Sequence, residues 1–257
     1  MIATSLALGW RLGIFFTAGV FTGIANGIAG GGTFFSFPTM LAMGISPLQA
    51  NVSSTVGVVP SFVGGLRASR GRFATHRELA RTLIVPCVTG TVVGCTLLFI
   101  GSPKTFERVV PWLIGSATLL FALAPRITAR LAHIEHTHPA RRWTLYVGIF
   151  LISIYGGYFG AGVGIMLLAV MAVSLPYEIH ELQTLRNLLS ILITSVAAVI
   201  FIVRGHLALE AVYMLMAGTL LGGWLGTRLI ERLSPSWVRV LVVATGVITT
   251  IHLALQQ

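Results

Sequence analysis

The chain has 257 residues, of which 55% are hydrophobic and 9% are charged. A soluble globular domain has about 25% charged residues, so the composition excludes a soluble protein and indicates a polytopic membrane protein. Seventeen basic and seven acidic residues give a formal net charge of +10. The arginines concentrate in short segments between apolar runs, where basic residues orient membrane proteins. The charge therefore indicates topology, and we expect no nucleic-acid partner.

Apolar runs predict the membrane-spanning helices in chain order. About 20 residues are needed to cross a bilayer as a helix. Runs of about this length lie at 10–28, 47–66, 77–100, 103–124, 142–158, 179–203, 209–232 and 235–255. Two shorter stretches, 33–43 and 164–175, each follow a glycine cluster. We expect an all-α polytopic membrane protein with about eight transmembrane helices and two glycine-broken half-helices.

The pattern of glycines and arginines recurs at a spacing of 130 to 134 residues. The matched positions are Gly27, Gly30 and Gly32 with Gly157, Gly160 and Gly162, and Arg70-Gly71 with Arg204-Gly205. This recurrence predicts two homologous four-helix repeats. We expect the first repeat at 1–124 and the second at 143–257, joined by a basic cytoplasmic link at 125–142.

The relative orientation of the two repeats depends on the half-helices. The repeats run parallel if each half-helix dips into the membrane and returns, and inverted if each one crosses. Nine arginines in 67–81 and 125–142 should be cytoplasmic, but this rule fits both arrangements. We favour parallel repeats, because 33–43 and 164–175 would be only about 16–18 Å long as helices.

The two glycine clusters predict a binding site. Irregular backbone is tolerated inside a bilayer only where it is buried in protein or lines a wet cavity. Unpaired N–H groups at a helix N-terminus attract anions, and matched glycine-broken segments are typical of transporter sites. The alternative is that these glycines only permit tight packing. The candidate binding residues in the two clusters are Gly30, Gly31, Gly32, Gly160, Gly162 and Gly164.

Polar residues also recur on one face of the helix that follows each half-helix. Such side chains line a cavity or form hydrogen bonds between helices. We favour cavity lining. The candidates are Asn51, Ser54 and Thr55 in the first half, and Gln183, Asn187 and Ser190, with Thr194 on the same face, in the second.

Arg186 is the one basic residue clearly inside an apolar segment. A membrane-embedded ionisable residue is by default a functional hypothesis, and a guanidinium fork matches the oxygens of sulfonate, carboxylate or phosphate groups. Two alternatives are that Arg186 extends to the membrane interface or pairs with Glu178 or Glu181. We include Arg186 among the candidate substrate-binding residues.

Metal and cofactor chemistry has little support in the sequence. Cys87 and Cys95 lie in one apolar run and are expected to be core residues. The cluster of His133, His136 and His138 matches no zinc-binding spacing. No Walker A, HExxH or GxSxG motif is present. We therefore expect no metal, no cofactor and no enzymatic activity.

The glycine-broken segments resemble a known family. The stretch 23–32, then Pro38 and 50–57, resembles the first repeat of the sulfite exporter TauE/SafE family. The second repeat is similar at 156–164, 185–189 and 204–206. This resemblance implies a multi-pass permease of the bacterial inner membrane that exports sulfite, organosulfonates and related sulfur compounds. It also implies roles for Asn51, Asn187 and both glycine stretches.

We therefore expect a secondary transporter that exports small anions, with sulfite or organosulfonate-type oxyanions favoured as substrates. The anion would bind between the two repeats at the half-helix N-termini and move by alternating access. An anion channel and an intramembrane enzyme are the alternatives. The expected partners are a small anionic substrate and the lipid bilayer, and a homodimer is compatible with the sequence.

Overall fold

The computed structural model describes residues 2–62, 77–131, 141–177, 179–229 and 235–255. Within these ranges all regular structure is helical. A 3-10 turn, Val59–Ser61, extends the third helix. In chain order the described α-helices are α1 (Ile2–Ala29), α2 (Thr33–Ala42), α3 (Pro47–Val58), α4 (Arg77–Ile100), α5 (Pro103–Leu131), α6 (Arg141–Tyr158), α7 (Val163–Ser174), α8 (Ile179–Arg204), α9 (Leu209–Leu229) and α10 (Pro235–Leu255).

Six of the described helices are long and apolar enough to cross a membrane. Their apolar segments are Gly9–Ile28, Glu78–Ile100, Pro103–Ile127, Glu181–Arg204, Leu209–Gly226 and Trp237–Leu255. The short apolar helices α2 and α7 directly follow the glycine clusters. The fold is therefore all-α with six candidate spans. The two further spans expected at 47–66 and 142–158 correspond to α3 and α6, which do not meet the same criteria.

Local sequence signals explain where several helices begin. Proline fits the first turn of a helix because it lacks an N–H group that would go unpaired there, and α3 and α5 both begin at a proline. Ser102 precedes α5 and its hydroxyl accepts the N–H of Thr105 at 3.1 Å, as an N-cap does. Helix α5 continues to Leu131 and so enters the range that the sequence assigned to the link.

Glycines allow two pairs of helices to pack at close range. Gly19 of α1 lies against Leu215 of α9, and Gly27 lies against Gly226 further along the same helix. Because the contacts advance together along both helices, α1 and α9 run parallel. The same argument applies to α4 and α6, where Gly90 lies against Phe150 and Gly94 against Ile154. Small residues at such contacts are typical of membrane helix pairs.

Helix α2 returns along α1. Gly32 packs against the backbone of Thr22, and the Arg11 side chain donates a 3.4 Å hydrogen bond to the carbonyl oxygen of Met43. The end of α2 therefore lies near the start of the apolar part of α1. Helix α3 then runs in the direction of α1, because Asn26 Nδ2 donates to Ser61 Oγ at 2.8 Å.

The helices of the second half of the chain run in the opposite direction to the corresponding helices of the first half. Gly205, directly after α8, packs against Val52 in the first half of α3. The end of α8 therefore lies beside the first half of α3, and the hairpin of α6 and α7, with Gly148 against Val170, precedes α8. Helix α6 thus starts at the opposite end of the bundle from α1. The parallel arrangement favoured from the sequence is wrong, because α1 and α6, the first helices of the two halves, start at opposite ends of the bundle.

Aromatic side chains pack beside both glycine clusters. The rings of Phe34 and Phe121 are 5.7 Å apart between centroids, and those of Phe37 and Phe159 are 5.5 Å apart. Cys87 and Cys95 are buried free thiols, as expected of core residues. Three sequence-level observations lie outside the described residues: the cluster His133, His136 and His138, the residue Glu178, and most of the arginines in 67–81.

Candidate functional site

The two glycine clusters meet in the bundle interior. A Cβ at Gly30 would lie 3.5 Å from the Cα of Gly164. Gly30, Gly160 and Gly162 have φ values of 75°, 82° and 77°, a region that L-residues with side chains disfavour. The backbone conformation explains why glycine occupies these positions in both breaks.

A small cavity lies where the clusters meet. The centres of water-sized molecules can occupy about 40 Å³ of it, and one water needs about 10–15 Å³ on this measure. The cavity therefore has room for a few waters or one small ion. The residues that line it are Asn26, Gly30, Thr33, Thr55, Val58, Phe62, Gly156, Gly160, Val163, Gly164, Ser190, Ile193 and Thr194.

Arg186 lies in the wall behind this cavity. Its side chain is only 6% exposed, so the alternative that it extends to the membrane interface is wrong. A Cβ at Gly30 would be 3.8 Å from its guanidinium carbon, and one at Gly164 would be 3.6 Å from its Cδ. Both glycines line the cavity, but Arg186 itself does not. The positive charge is therefore separated from the cavity by glycine backbone.

Asn187 holds the Arg186 guanidinium in place. Its Oδ1 accepts hydrogen bonds from Arg186 Nη2 at 2.8 Å and from Nε at 3.2 Å. Glu178, one of the acidic partners considered from the sequence, lies outside the described residues. Within the described part of the chain, no carboxylate forms an ion pair with Arg186. The guanidinium thus has a neutral partner and keeps its full positive charge.

The polar residues predicted on α3 form bonds within the protein. Asn51 is 2% exposed and donates from Nδ2 to the carbonyl oxygen of Tyr158 at 3.0 Å, which ties α3 to the second glycine cluster. Ser54 shares a short hydrogen bond with Ser36 of α2. Thr55 lines the cavity, and its hydroxyl donates to the Asn51 carbonyl oxygen at 2.9 Å.

The predicted face of α8 divides into two parts. Gln183 is exposed and lies away from the cavity. Ser190 and Thr194 line the cavity one and two turns beyond Asn187. Ser190 is 9% exposed, and its hydroxyl has no hydrogen-bond partner among the described residues. The helical spacing therefore brings the last part of this face to the cavity.

Three of the six predicted glycines line the cavity: Gly30, Gly160 and Gly164. The other three do not line it. Gly31 lies against the ring of Phe121, Gly32 against Thr22, and Gly162 near Ala117. At the start of α7 the N–H of Ile165 bonds to the Gly162 carbonyl oxygen at 3.1 Å, while the N–H of Gly164 has no acceptor among the described residues.

Sequence reasoning missed the other residues that line the cavity, which are Asn26, Thr33, Val58, Phe62, Gly156, Val163 and Ile193. Asn26 stands four residues before Gly30 in α1, and Thr33 is the first residue of α2. Polar residues directly beside a glycine break were the available signal. Their placement at the cavity required the reversal between α1 and α2. No group of three metal-ligating side chains occurs among the described residues.

Comparison with known proteins places the chain in a family. The family model "Sulfite exporter TauE/SafE" matches residues 15–253. A probable membrane transporter protein of Haemophilus influenzae is 24% identical over 253 residues, covering 96% of this chain and 95% of that protein. The probable membrane transporter protein YfcA of Escherichia coli K12 is 20% identical over 245 residues, with 94% and 89% covered.

A third relative, the probable membrane transporter protein ORF9 of a Sinorhizobium species, is 31% identical over 155 residues, with 60% of this chain and 58% of that protein covered. These names indicate a membrane transporter rather than an enzyme. The family model spans both glycine clusters and the cavity between them. This multi-pass membrane protein therefore belongs to the sulfite exporter TauE/SafE family.

Proposed function

We propose that the protein exports small anions across the bacterial inner membrane, with sulfite or organosulfonate-type oxyanions as substrates. One observation carries this proposal: the buried Arg186 guanidinium lies against Gly30 and Gly164, which line the cavity between the two glycine clusters. A buried charge without an ionic partner is costly. An anion in the cavity offsets that cost.

The positive charge of Arg186 acts on the cavity across the backbone of Gly30 and Gly164, which together form the glycine wall. Arg186 stays protonated under physiological conditions, and charges a few ångströms apart interact strongly where water is excluded. Glycine has no side chain to increase the separation between guanidinium and cavity. This arrangement favours anions over cations and neutral solutes, and the described lining residues include no carboxylate that would oppose it.

Alternating access is supported by the helix directions. Helices α1 and α9 pack in parallel, as do α4 and α6, while the two halves of the chain run in opposite directions. We infer that the halves are homologous inverted repeats, an architecture in which one bundle rocks against the other around a central site. The inside-negative membrane potential would drive anion export. The transporter needs no metal or cofactor, and its partners are the anion and the bilayer, with a homodimer compatible with this arrangement.

Flux of labelled sulfite in proteoliposomes tests the function. Saturable flux with counterflow supports a carrier, and unsaturable conductance supports the alternative of an anion channel. If the protein transports none of sulfite, methanesulfonate and chloride, the proposal is refuted. The intramembrane enzyme is the remaining alternative, and chemical conversion of the labelled anion during the assay would indicate it.

A charge variant tests the role of the buried cation. Arg186→Gln should reduce sulfite flux at least tenfold, because it removes the positive charge beside the cavity. Arg204→Gln is the matched control, since Arg204 is exposed at the end of the same helix. Equal fluxes in the two variants would remove Arg186 from the mechanism.

A further inference from the structure

The polar side chains around the cavity differ in whether they are already hydrogen-bonded. Asn26 donates to Ser61 at 2.8 Å, and Thr55 donates to the Asn51 carbonyl oxygen at 2.9 Å. The Thr55 hydroxyl proton and one of the two Asn26 amide protons are therefore bound within the protein. These hydrogen bonds fix the cavity wall and leave one amide proton of Asn26 for a ligand.

Three hydroxyls that line the cavity are available to a ligand. Thr33 on α2 and Ser190 and Thr194 on α8 line the cavity, and within the described residues none of them has a hydrogen-bond partner. Ser190 is the most telling, because it is 9% exposed and its hydroxyl oxygen is shielded from solvent. Buried polar groups are almost always paired, so an unpaired hydroxyl beside a cavity is available to a water molecule or a ligand that enters it.

Serines at matching positions in the two halves differ in their hydrogen bonding. Ser54 stands three residues after Asn51, and Ser190 stands three residues after Asn187. Ser54 is paired with Ser36, whereas Ser190 is unpaired. The first half thus uses its serine to hold α2 against α3, and the second half leaves its serine available at the cavity.

We propose that the hydroxyls of Thr33, Ser190 and Thr194 bind the three oxygens of an –SO₃ group, as in sulfite or a sulfonate. This inference rests on the proposed function and specifies its site. Arg186 supplies the charge from behind the glycine wall without contacting the anion. Binding is one-sided in this conformation, because α8 provides two of the three donors and α3 provides none.

The chemistry of the three donors fits this ligand. A hydroxyl can donate to one oxygen and rotate to suit it, so three hydroxyls satisfy three oxygens without the desolvation of a second charged side chain. A cavity of about 40 Å³ for the centres of water-sized molecules limits the enclosed part of the ligand to a small head group. Halides lack the separate oxygens that three donors could address.

The test compares two buried serines. Ser174 has an unpaired hydroxyl like that of Ser190 but lies at the end of α7, away from the cavity. We expect Ser190→Ala to raise KM for labelled sulfite about tenfold, the effect of one hydrogen bond to a charged group. Ser174→Ala should leave KM unchanged. Thr33→Val and Thr194→Val, which keep side-chain shape, should act like Ser190→Ala.

A binding readout makes the result independent of turnover. Sulfite should raise the Tm of the purified protein by mass action, and this increase should be smaller in Ser190→Ala than in Ser174→Ala. Methanesulfonate forms the second arm. If Ser190→Ala weakens the binding of both anions, the site recognises the –SO₃ group of sulfite and of sulfonates alike. If the parent protein binds sulfite but not methanesulfonate, free sulfite is the ligand.

The hydroxyl site and the transport function can be refuted separately. If the parent protein transports sulfite and the three hydroxyl variants keep its KM and its Tm response, the hydroxyl site is refuted and the transport function stands. An equal rise in KM for Ser190→Ala and Ser174→Ala also refutes the site. If the parent protein neither binds nor transports any of the anions, both proposals are refuted.

Discussion

Arg186 donates two hydrogen bonds to the side-chain oxygen of its own neighbour, Asn187, and this pair lies directly behind the glycine wall of the cavity. The amide accepts without neutralising the guanidinium. It therefore fixes the position of the cation and preserves its charge. Sequence alone placed both residues at the site but did not indicate that they bind each other.

The contact between Arg186 and Asn187 predicts that one added negative charge strongly lowers the affinity for sulfite. Asn187→Asp places a carboxylate within hydrogen-bond distance of Arg186 and forms a charge-assisted pair. Because this pair neutralises the cation, sulfite affinity should fall at least tenfold. KM in proteoliposomes measures the loss. Gln183→Glu adds the same charge at an exposed position of the same helix, and a comparable loss there would contradict the prediction.

Gly30 should tolerate a side chain poorly. Its φ of 75° makes alanine unfavourable by about 1–2 kcal/mol, and the new methyl group would contact Gly164 and Arg186. We expect Gly30→Ala to lower both the Tm in detergent and the sulfite flux per folded protein. Gly44 has a similar φ of 79° but open space around it. Gly44→Ala should lower Tm without changing flux, and a flux loss in both variants would assign the effect to backbone strain.

Asn51 and Asn187 should have separable roles. Asn51→Ala leaves the Tyr158 carbonyl oxygen unpaired, which costs about 1–3 kcal/mol for a buried group. Thermal unfolding should therefore shift downward and the maximal transport rate should fall, while KM for sulfite is unchanged. Asn187→Ala should raise KM, because the guanidinium is no longer held. The same kinetic change in both variants would show that the two amides act alike.

The inverted arrangement predicts which loops share a membrane face. The connection at Gly44 and the connection at His206 lie at one end of the bundle, where Ser53 Oγ accepts the N–H of Ala208 at 2.9 Å. Single cysteines at 44 and 206, in a chain with Cys87 and Cys95 replaced by alanine, should react with an impermeant thiol reagent from the same side. Parallel repeats would place these two positions on opposite sides, so labelling from opposite sides would overturn the inverted arrangement.

The sequence predicted the features that depend on local pattern. Apolar runs identified the six candidate spans and the short helices α2 and α7, and the glycine motifs indicated the family that comparison confirmed. The helical spacing on α8 carried Ser190 to the cavity. The same pattern did not bring Gln183 to the cavity. Helical spacing determines which residues share a face, and the neighbouring helices determine which part of that face lies beside the cavity.

By itself, then, the sequence determined a membrane-embedded helical protein with two glycine breaks and an arginine close to the second, because length, apolarity and helical period are local properties. The tertiary structure decided that α2 reverses along α1 and that Arg186 lies behind the cavity. It also decided that Ser54 has a hydrogen-bond partner, whereas Ser190 has none within the described part of the chain. These outcomes depend on which distant residue arrives beside each group. A partner such as Ser36 for Ser54 is supplied by packing, and no spacing within one helix encodes it.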